Sequence, residues 1–143
     1  MKIALNLNHR SFKLTDNQIL ELASRKGVVL YPNFNDIQTV WWIVPQEQWI
    51  PLACWEDIME MDSEGTTRYY SYLNDNTWDS YKLPRNDPDL LYVIEHSKEP
   101  CARIVEIPDD VKWYIDETTD GLEIITECHR MWDERGEHLI DSL

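Results

Sequence analysis

Glycine and basic residues are scarce in this sequence, and each shortage argues against a class of function. Only four of the 143 residues are Gly, so the sequence contains no Gly-rich phosphate-binding loop, and we predict no cofactor. The chain has 13 Lys and Arg against 27 Asp and Glu, a formal net charge of −14. Because binding to a nucleic-acid backbone needs basic residues that neutralise phosphates, we expect no general binding of DNA or RNA.

Cysteines and long apolar runs are also scarce. The three cysteines Cys54, Cys101 and Cys128 match neither a disulfide framework nor a zinc site, so we predict reduced thiols and no metal. No apolar window approaches 18 uninterrupted residues, so we expect no transmembrane helix and no membrane partner. The apolar run at the start of the chain is too short for a signal peptide, which favours a cytoplasmic protein.

Local patterns predict one α+β domain over residues 1–143. The opening predicts a strand over 2–7, followed by a helix that begins at a capping box over 15–18 and ends at Gly27. Asp87 and Pro88 are typical of a helix start and predict a central helix. Residues 112–115 and 122–128 predict an antiparallel hairpin around Asp120 and Gly121. Four further strands are predicted over residues 28–31, 38–44, 68–73 and 103–107. A final helix is predicted over residues 129–143.

Aromatic residues are abundant, with seven Trp and seven Tyr. Five of the Trp residues lie in the segment 32–82, whose pattern is otherwise irregular. A small domain cannot easily bury so many rings, which predicts at least a homodimer.

Catalytic patterns are weak. Cys128 and His129 are adjacent in sequence, but a nucleophilic Cys needs a His that reaches it across the fold. The many carboxylates give no sign of two environments that would separate an acid from a base. We therefore predict a binding protein and not an enzyme.

A few basic residues stand among aromatic ones near the end of the chain. On the predicted last strand, Thr126, Cys128 and Arg130 alternate onto one face, and Lys112 and Tyr114 do so on its partner strand. Arg103 lies on the strand before them. Arg binds phosphate through paired donors, and aromatic rings hold a purine by stacking. This pattern suggests a pocket for a small anionic nucleotide; the alternative is a set of surface salt bridges.

Several segments resemble the phage Thoeris anti-defence sponge family. The resemblance is carried by residues 84–91, PRNDPDLL, by 104–113, IVEIPDDVKW, and by 120–123, DGLE, with 127–132, ECHRMW. The opening residues 2–6 and 12–15 are similar too. The family usually has a Gly-Gly turn where this chain has Arg10 and Ser11. Residues 32–82 have no counterpart in the family, and residues 133–143 extend past its usual ending.

The resemblance implies a protein that binds a cyclic ADP-ribose isomer, made by a bacterial TIR sensor, and withholds it from its effector without cleaving it. It also implies a homo-oligomer with the pocket between protomers, in the cytoplasm of an infected bacterium. Nucleotide contacts are implied at Arg130, Lys112 and Thr126, and a second nucleotide site at Arg85. Arg103 and Trp113 complete the set of predicted binding residues.

Two other functions stay open from the sequence. An acidic, Trp-rich surface is compatible with an inhibitor that blocks a host defence protein by direct binding. A nucleotide-cleaving enzyme is the weaker alternative, because no residue is identified that would attack a phosphate or glycosidic bond.

Overall fold

The computed structural model describes residues 1–6, 12–34, 38–98, 102–133 and 136–140, with only the backbone described for 81, 129–133 and 136–140. These residues form helices and antiparallel strand pairs, which confirms the α+β class. The strands are β1 Lys2–Asn6, β2 Tyr31–Phe34, β3 Thr39–Trp42, β4 Ala102–Glu106, β5 Trp113–Glu117, β6 Glu123–Glu127, β7 His129–Asp133 and β8 Gly136–Ile140. The helices are α1 Asp16–Lys26, α2 Trp55–Glu60, α3 Ser63–Asn76 and α4 Pro88–Glu95, and two 3-10 turns cover Gln46–Gln48 and Ser80–Lys82.

The strands form two-stranded antiparallel pairs: β1 with β4, β2 with β3, β5 with β6, and β7 with β8. The chain divides into two compact units. Unit 1 combines Met1–Gln18 with Leu83–Leu143, and unit 2 is Ile19–Lys82. One domain over 1–143 and a homo-oligomer both stay predictions. No helix of the described residues is long and apolar enough to cross a membrane.

Unit 1 is organised around β1. Its residues Ile3 to Asn6 are all buried, and the strand pairs with β4 from Lys2 opposite Glu106 to Asn6 opposite Ala102. Helix α4 lies against both strands and buries Leu90 and Val93. Their spacing of three residues puts them on one helix face, and burying each side chain contributes roughly 1.5–3 kcal/mol.

Unit 2 is built around tryptophans. Trp42 is fully buried and stacks on Trp49, with ring centroids 5.6 Å apart. The indole N–H of Trp49 donates to the carbonyl of Val44 at 2.9 Å. Strand β3 is also joined to the end of α3, because the backbone N–H of Ile43 donates to the carbonyl of Asn76 at 2.9 Å. Several rings that suggested an interface therefore form a core.

Three local predictions are confirmed. Thr15 and Gln18 form the predicted capping box: the N–H of Thr15 donates to Gln18 Oε1 at 2.8 Å, and the N–H of Gln18 donates to Thr15 Oγ1 at 3.3 Å. Asp87 caps α4 by accepting from the N–H groups of Asp89 and Leu90, both at 3.0 Å. The predicted hairpin forms between β5 and β6, and Gly121 in its turn has a φ of 79°.

Three predictions of secondary structure are wrong. Residues 68–73 lie in α3 and not in a strand, because α3 begins after Asp62, whose carboxylate accepts from the N–H of Gly65 at 2.6 Å. The predicted helix over 129–143 is replaced by the strands β7 and β8 over the part that the structure describes. The second strand begins at Tyr31 and not at Val28.

Candidate functional site

The hairpin of β5 and β6 brings two predicted binding residues to one face. Tyr114 lies opposite Thr126, and the N–H of Cys128 donates to the carbonyl of Lys112 at 2.8 Å, which extends the ladder by one pair. Because side chains alternate along a strand, Lys112, Tyr114 and Thr126 share a face. Lys112 is exposed, while Tyr114 and Thr126 are half-buried. We call this surface the hairpin face.

Trp113 lies on the opposite side of the hairpin. Its indole N–H donates to the sulfur of Met1 at 3.2 Å, and it stands opposite Glu127 in the register. The structure therefore does not bring Trp113 together with Lys112 and Thr126 on one face. A ring in this position supports the hairpin from behind.

The two remaining basic residues of the predicted pocket lie on other strand pairs. Arg103 is exposed on β4, opposite Leu5 of β1. Arg130 lies on β7, opposite Leu139 of β8, and its side chain falls outside the described part. The sequence prediction ran one strand through Arg130, but β6 ends at Glu127 and a new strand pair begins at His129.

Arg85 is held by a network inside unit 1. Its Nη1 donates to Glu123 Oε1 at 2.8 Å and to the carbonyl of Ala4 at 3.1 Å, and its Nη2 donates to Glu123 Oε2 at 3.0 Å. The ring of Phe12 lies 4.0 Å from the guanidinium carbon. The N–H of Asn6 donates to Glu123 Oε1 at 2.7 Å. We call this network the Arg85 clamp; it joins β1, β6 and the turn before α4.

Glu123 is ionised within the clamp. Burial raises the pKa of its carboxyl, but the hydrogen bonds from Arg85 and from the Asn6 N–H, together with the guanidinium charge, outweigh burial and leave the pKa below its ordinary value. Side-chain exposure is 22% for Arg85 and 9% for Glu123. A bidentate pair this well shielded is stronger than an exposed ion pair.

The clamp bears on the prediction that Arg85 serves a second nucleotide site. A phosphate at Arg85 has to share the guanidinium with Glu123 or displace its carboxylate, and an anion beside that carboxylate is repelled. The ligand role of Arg85 stays a prediction. The interaction that the structure gives Arg85 stabilises the fold.

Unit 2 contains an open surface cleft of about 500 Å³. Its lining is Tyr70, Ser71, Leu73, Asn74, Thr77, Asp79 and Lys82. Lys82 is exposed, and its ammonium donates to the carbonyl of Asn74 at 3.0 Å. The lining thus offers a small anion one cation, Lys82, and one opposing carboxylate, Asp79.

Sequence reasoning missed Glu123 and the cleft. Glu123 directly follows a turn, and nothing local marks its pairing with Arg85, 38 residues away. The cleft was missed because its lining includes Tyr70 and Leu73, which were assigned to a strand. The N-cap residue Asp62, followed by Ser63, was a usable signal for a helix there.

No group of three or more His, Cys, Asp or Glu side chains within the described ranges is arranged to hold a metal ion.

Comparisons of the chain with protein-family models, with curated proteins and with solved structures gave no match.

Proposed function

We propose that this protein binds a small cyclic nucleotide, a cyclic ADP-ribose isomer, and sequesters it without cleavage. In this proposal it is a phage anti-defence protein in the cytoplasm of an infected bacterium, where it inhibits Thoeris-type immunity. It acts as a sponge and not as an enzyme.

The observation that supports the proposal is the hairpin face. It combines the ammonium of Lys112, the ring of Tyr114 and the hydroxyl of Thr126 on one accessible surface. These groups offer a nucleotide a charged partner for phosphate, a stacking surface for a base and a hydrogen-bonding group. The segments that carry the family resemblance also fall on ordered elements of unit 1, namely α4, β4 to β6 and β7.

The proposal includes a homo-oligomer. Among the described side chains that share the hairpin face, Lys112 is the cation, and a pyrophosphate carries more charge than one ammonium neutralises. A second copy of the chain would supply further basic groups and close the open face into a pocket, as in an interface built by two-fold symmetry. Sedimentation showing a monomer at micromolar concentration would count against this part of the proposal.

A binding assay with purified protein and a cyclic ADP-ribose isomer tests the proposal. The family resemblance implies a ligand contact at Arg130, so Arg130→Ala should weaken binding about ten- to a hundredfold, because a charged hydrogen bond contributes roughly 1.5–3 kcal/mol. Arg130→Lys should recover part of the affinity, since an ammonium lacks the paired donors of Arg. Lys112→Ala should also weaken binding.

Two controls locate the ligand. Lys98→Ala removes an exposed cation elsewhere in unit 1 and should leave the affinity unchanged. Lys82→Ala should also leave it unchanged; loss of binding in that variant alone would move the ligand to the cleft of unit 2. Heat denaturation of the complex should release intact ligand, whereas a chemically altered ligand would identify an enzyme.

A direct protein-binding inhibitor is the second candidate function. It is favoured by the exposed apolar side chains of unit 2, which include Val29, Trp55 and Met59, each at least 66% exposed. Large exposed apolar groups on an acidic protein are typical of a contact surface for another protein.

A further inference from the structure

Helix α2 presents large apolar side chains to solvent. Trp55 is 70% exposed and Met59 is 66% exposed. They are four residues apart on one helix, so they are neighbours on its surface. We call these two side chains the α2 patch.

The α2 patch is only one side of an amphipathic helix. Ile58 is half-buried, and at 100° per residue it lies about 60° from Trp55 and on the side away from Glu56 and Glu60. Glu56 and Glu60, both exposed, are four residues apart and border the patch on its other side. An apolar strip with an acidic border therefore faces solvent.

Hydrogen bonds join the segment that leads into α2 to helix α3. The N–H of Ala53 donates to the hydroxyl of Tyr69 on α3 at 2.9 Å, and the hydroxyl of Tyr72 donates to the carbonyl of Gln48 at 2.5 Å. At the start of α2, the N–H of Cys54 donates to Asp57 Oδ2 at 3.2 Å. The patch is thus formed before any partner arrives, which lowers the entropy cost of binding.

The stretch of sequence that contains the patch carries charge of one sign. The 41 residues from Gly27 to Thr67 contain seven Asp and Glu but no Lys, Arg or His. The first basic side chain after α2 is Arg68, which pairs with Glu64 at 3.2 Å. No basic residue lies near Glu56 and Glu60 in the sequence to offset their negative charge. The two carboxylates therefore favour the approach of a positively charged group.

We propose that the α2 patch is a docking site for a basic amphipathic helix of another protein, with apolar side chains on one face and Lys or Arg beside them. Trp55 and Met59 contact the apolar face, and Glu56 and Glu60 pair with the basic side chains. Complementary charge speeds the encounter and fixes the orientation. A second copy of this chain fits poorly, because a two-fold contact would bring the Glu56 and Glu60 carboxylates of both copies together.

The test uses a synthetic helical peptide with a Leu face and a Lys face, and a second peptide of the same composition with scrambled order. Binding to the full chain is followed by fluorescence anisotropy of a dye on the peptide. Trp55→Ala should weaken binding of the first peptide about thirtyfold, as expected for an aromatic residue at the centre of an interface. Glu56→Gln with Glu60→Gln should weaken binding at low salt and have less effect at high salt.

Phe34→Ala is the matched control, because Phe34 is an aromatic residue of the same unit, also 70% exposed, on β2; its affinity should equal that of the parent protein. Circular dichroism checks that Trp55→Ala keeps the fold, as expected for so exposed a side chain. Equal binding of both peptides, or equal binding by Trp55→Ala and the parent protein, would overturn the proposal. So would sedimentation showing that the protein alone self-associates through Trp55, because the occupant would then be a second copy.

Discussion

Replacing Glu123 tests whether the Arg85 clamp stabilises unit 1. Glu123→Ala removes the bidentate partner of the Arg85 guanidinium and the carboxylate that accepts from the N–H of Asn6. Breaking a buried ion pair costs about 3–5 kcal/mol, and the 22% exposure of Arg85 favours the lower end. We therefore expect the free energy of unfolding to fall by about 3 kcal/mol.

Glu123→Gln separates charge from hydrogen bonding. The amide oxygen still accepts from Asn6, so amide hydrogen exchange at Asn6 should stay slow in Glu123→Gln and become fast in Glu123→Ala. Arg85→Met combined with Glu123→Gln should cost less than the sum of the two single changes, because neither partner is then left as an unpaired buried charge.

The pH dependence of the same variants has a defined sign. The pKa of Glu123 is lower in the folded state than its ordinary value of 4.5. The clamp therefore contributes its full stability above about pH 4.5, and this contribution is lost as the pH falls through the folded-state pKa. The difference in stability between the parent protein and Glu123→Gln should shrink below about pH 4.5.

Urea denaturation followed by circular dichroism measures the stabilities, and hydrogen exchange at Asn6 assigns the effect to unit 1. Glu127→Ala is the control, since Glu127 lies on the same side of β6 but is exposed, and it should change stability by less than about 0.5 kcal/mol. Glu123→Ala with an unchanged urea midpoint and unchanged exchange at Asn6 would refute the reasoning.

Two further predictions concern local backbone structure. Asp87→Ala removes the cap of α4 and should lower stability by about 1–2 kcal/mol. Asp87→Asn keeps an acceptor for the same N–H groups and should lose much less stability. Thermal unfolding of the parent protein and the two variants checks this, and equal losses for Ala and Asn would contradict it. Gly121→Ala puts a side chain at a φ of 79° and should cost about 1 kcal/mol. A matched Thr119→Ala change in the same turn should cost less, and the opposite order would contradict the role of the positive φ.

What could be predicted from the sequence is local. Asp87 and Thr15 are recognisable because a cap and the N–H groups that it satisfies lie within three residues of each other. The three Tyr residues of α3 misled the prediction, since aromatic residues favour strands, and the cap at Asp62 outweighs that preference.

The candidate site could be predicted only in part. Alternation along one hairpin was sufficient to place Lys112 and Thr126 on the same face. The pairing of Arg85 with Glu123 depends on how α4 and β6 approach β1, and no periodicity in a single sequence encodes that approach. Grouping Trp113 with Lys112 has a different origin: the two are adjacent in sequence, and strand alternation by itself puts adjacent residues on opposite faces.

The pairing of β1 with β4 sets an order on how the chain folds while it is being synthesised. Lys2 pairs with Glu106, so the apolar strand Ile3–Leu5 leaves the ribosome about 100 residues before its partner. At about 5–20 residues per second, this strand waits roughly 5–20 s. Unit 2 is continuous in sequence and is synthesised entirely within that interval. During that interval the apolar β1 lacks its partner strand, and a slow codon between α4 and β4 would prolong its exposure to aggregation.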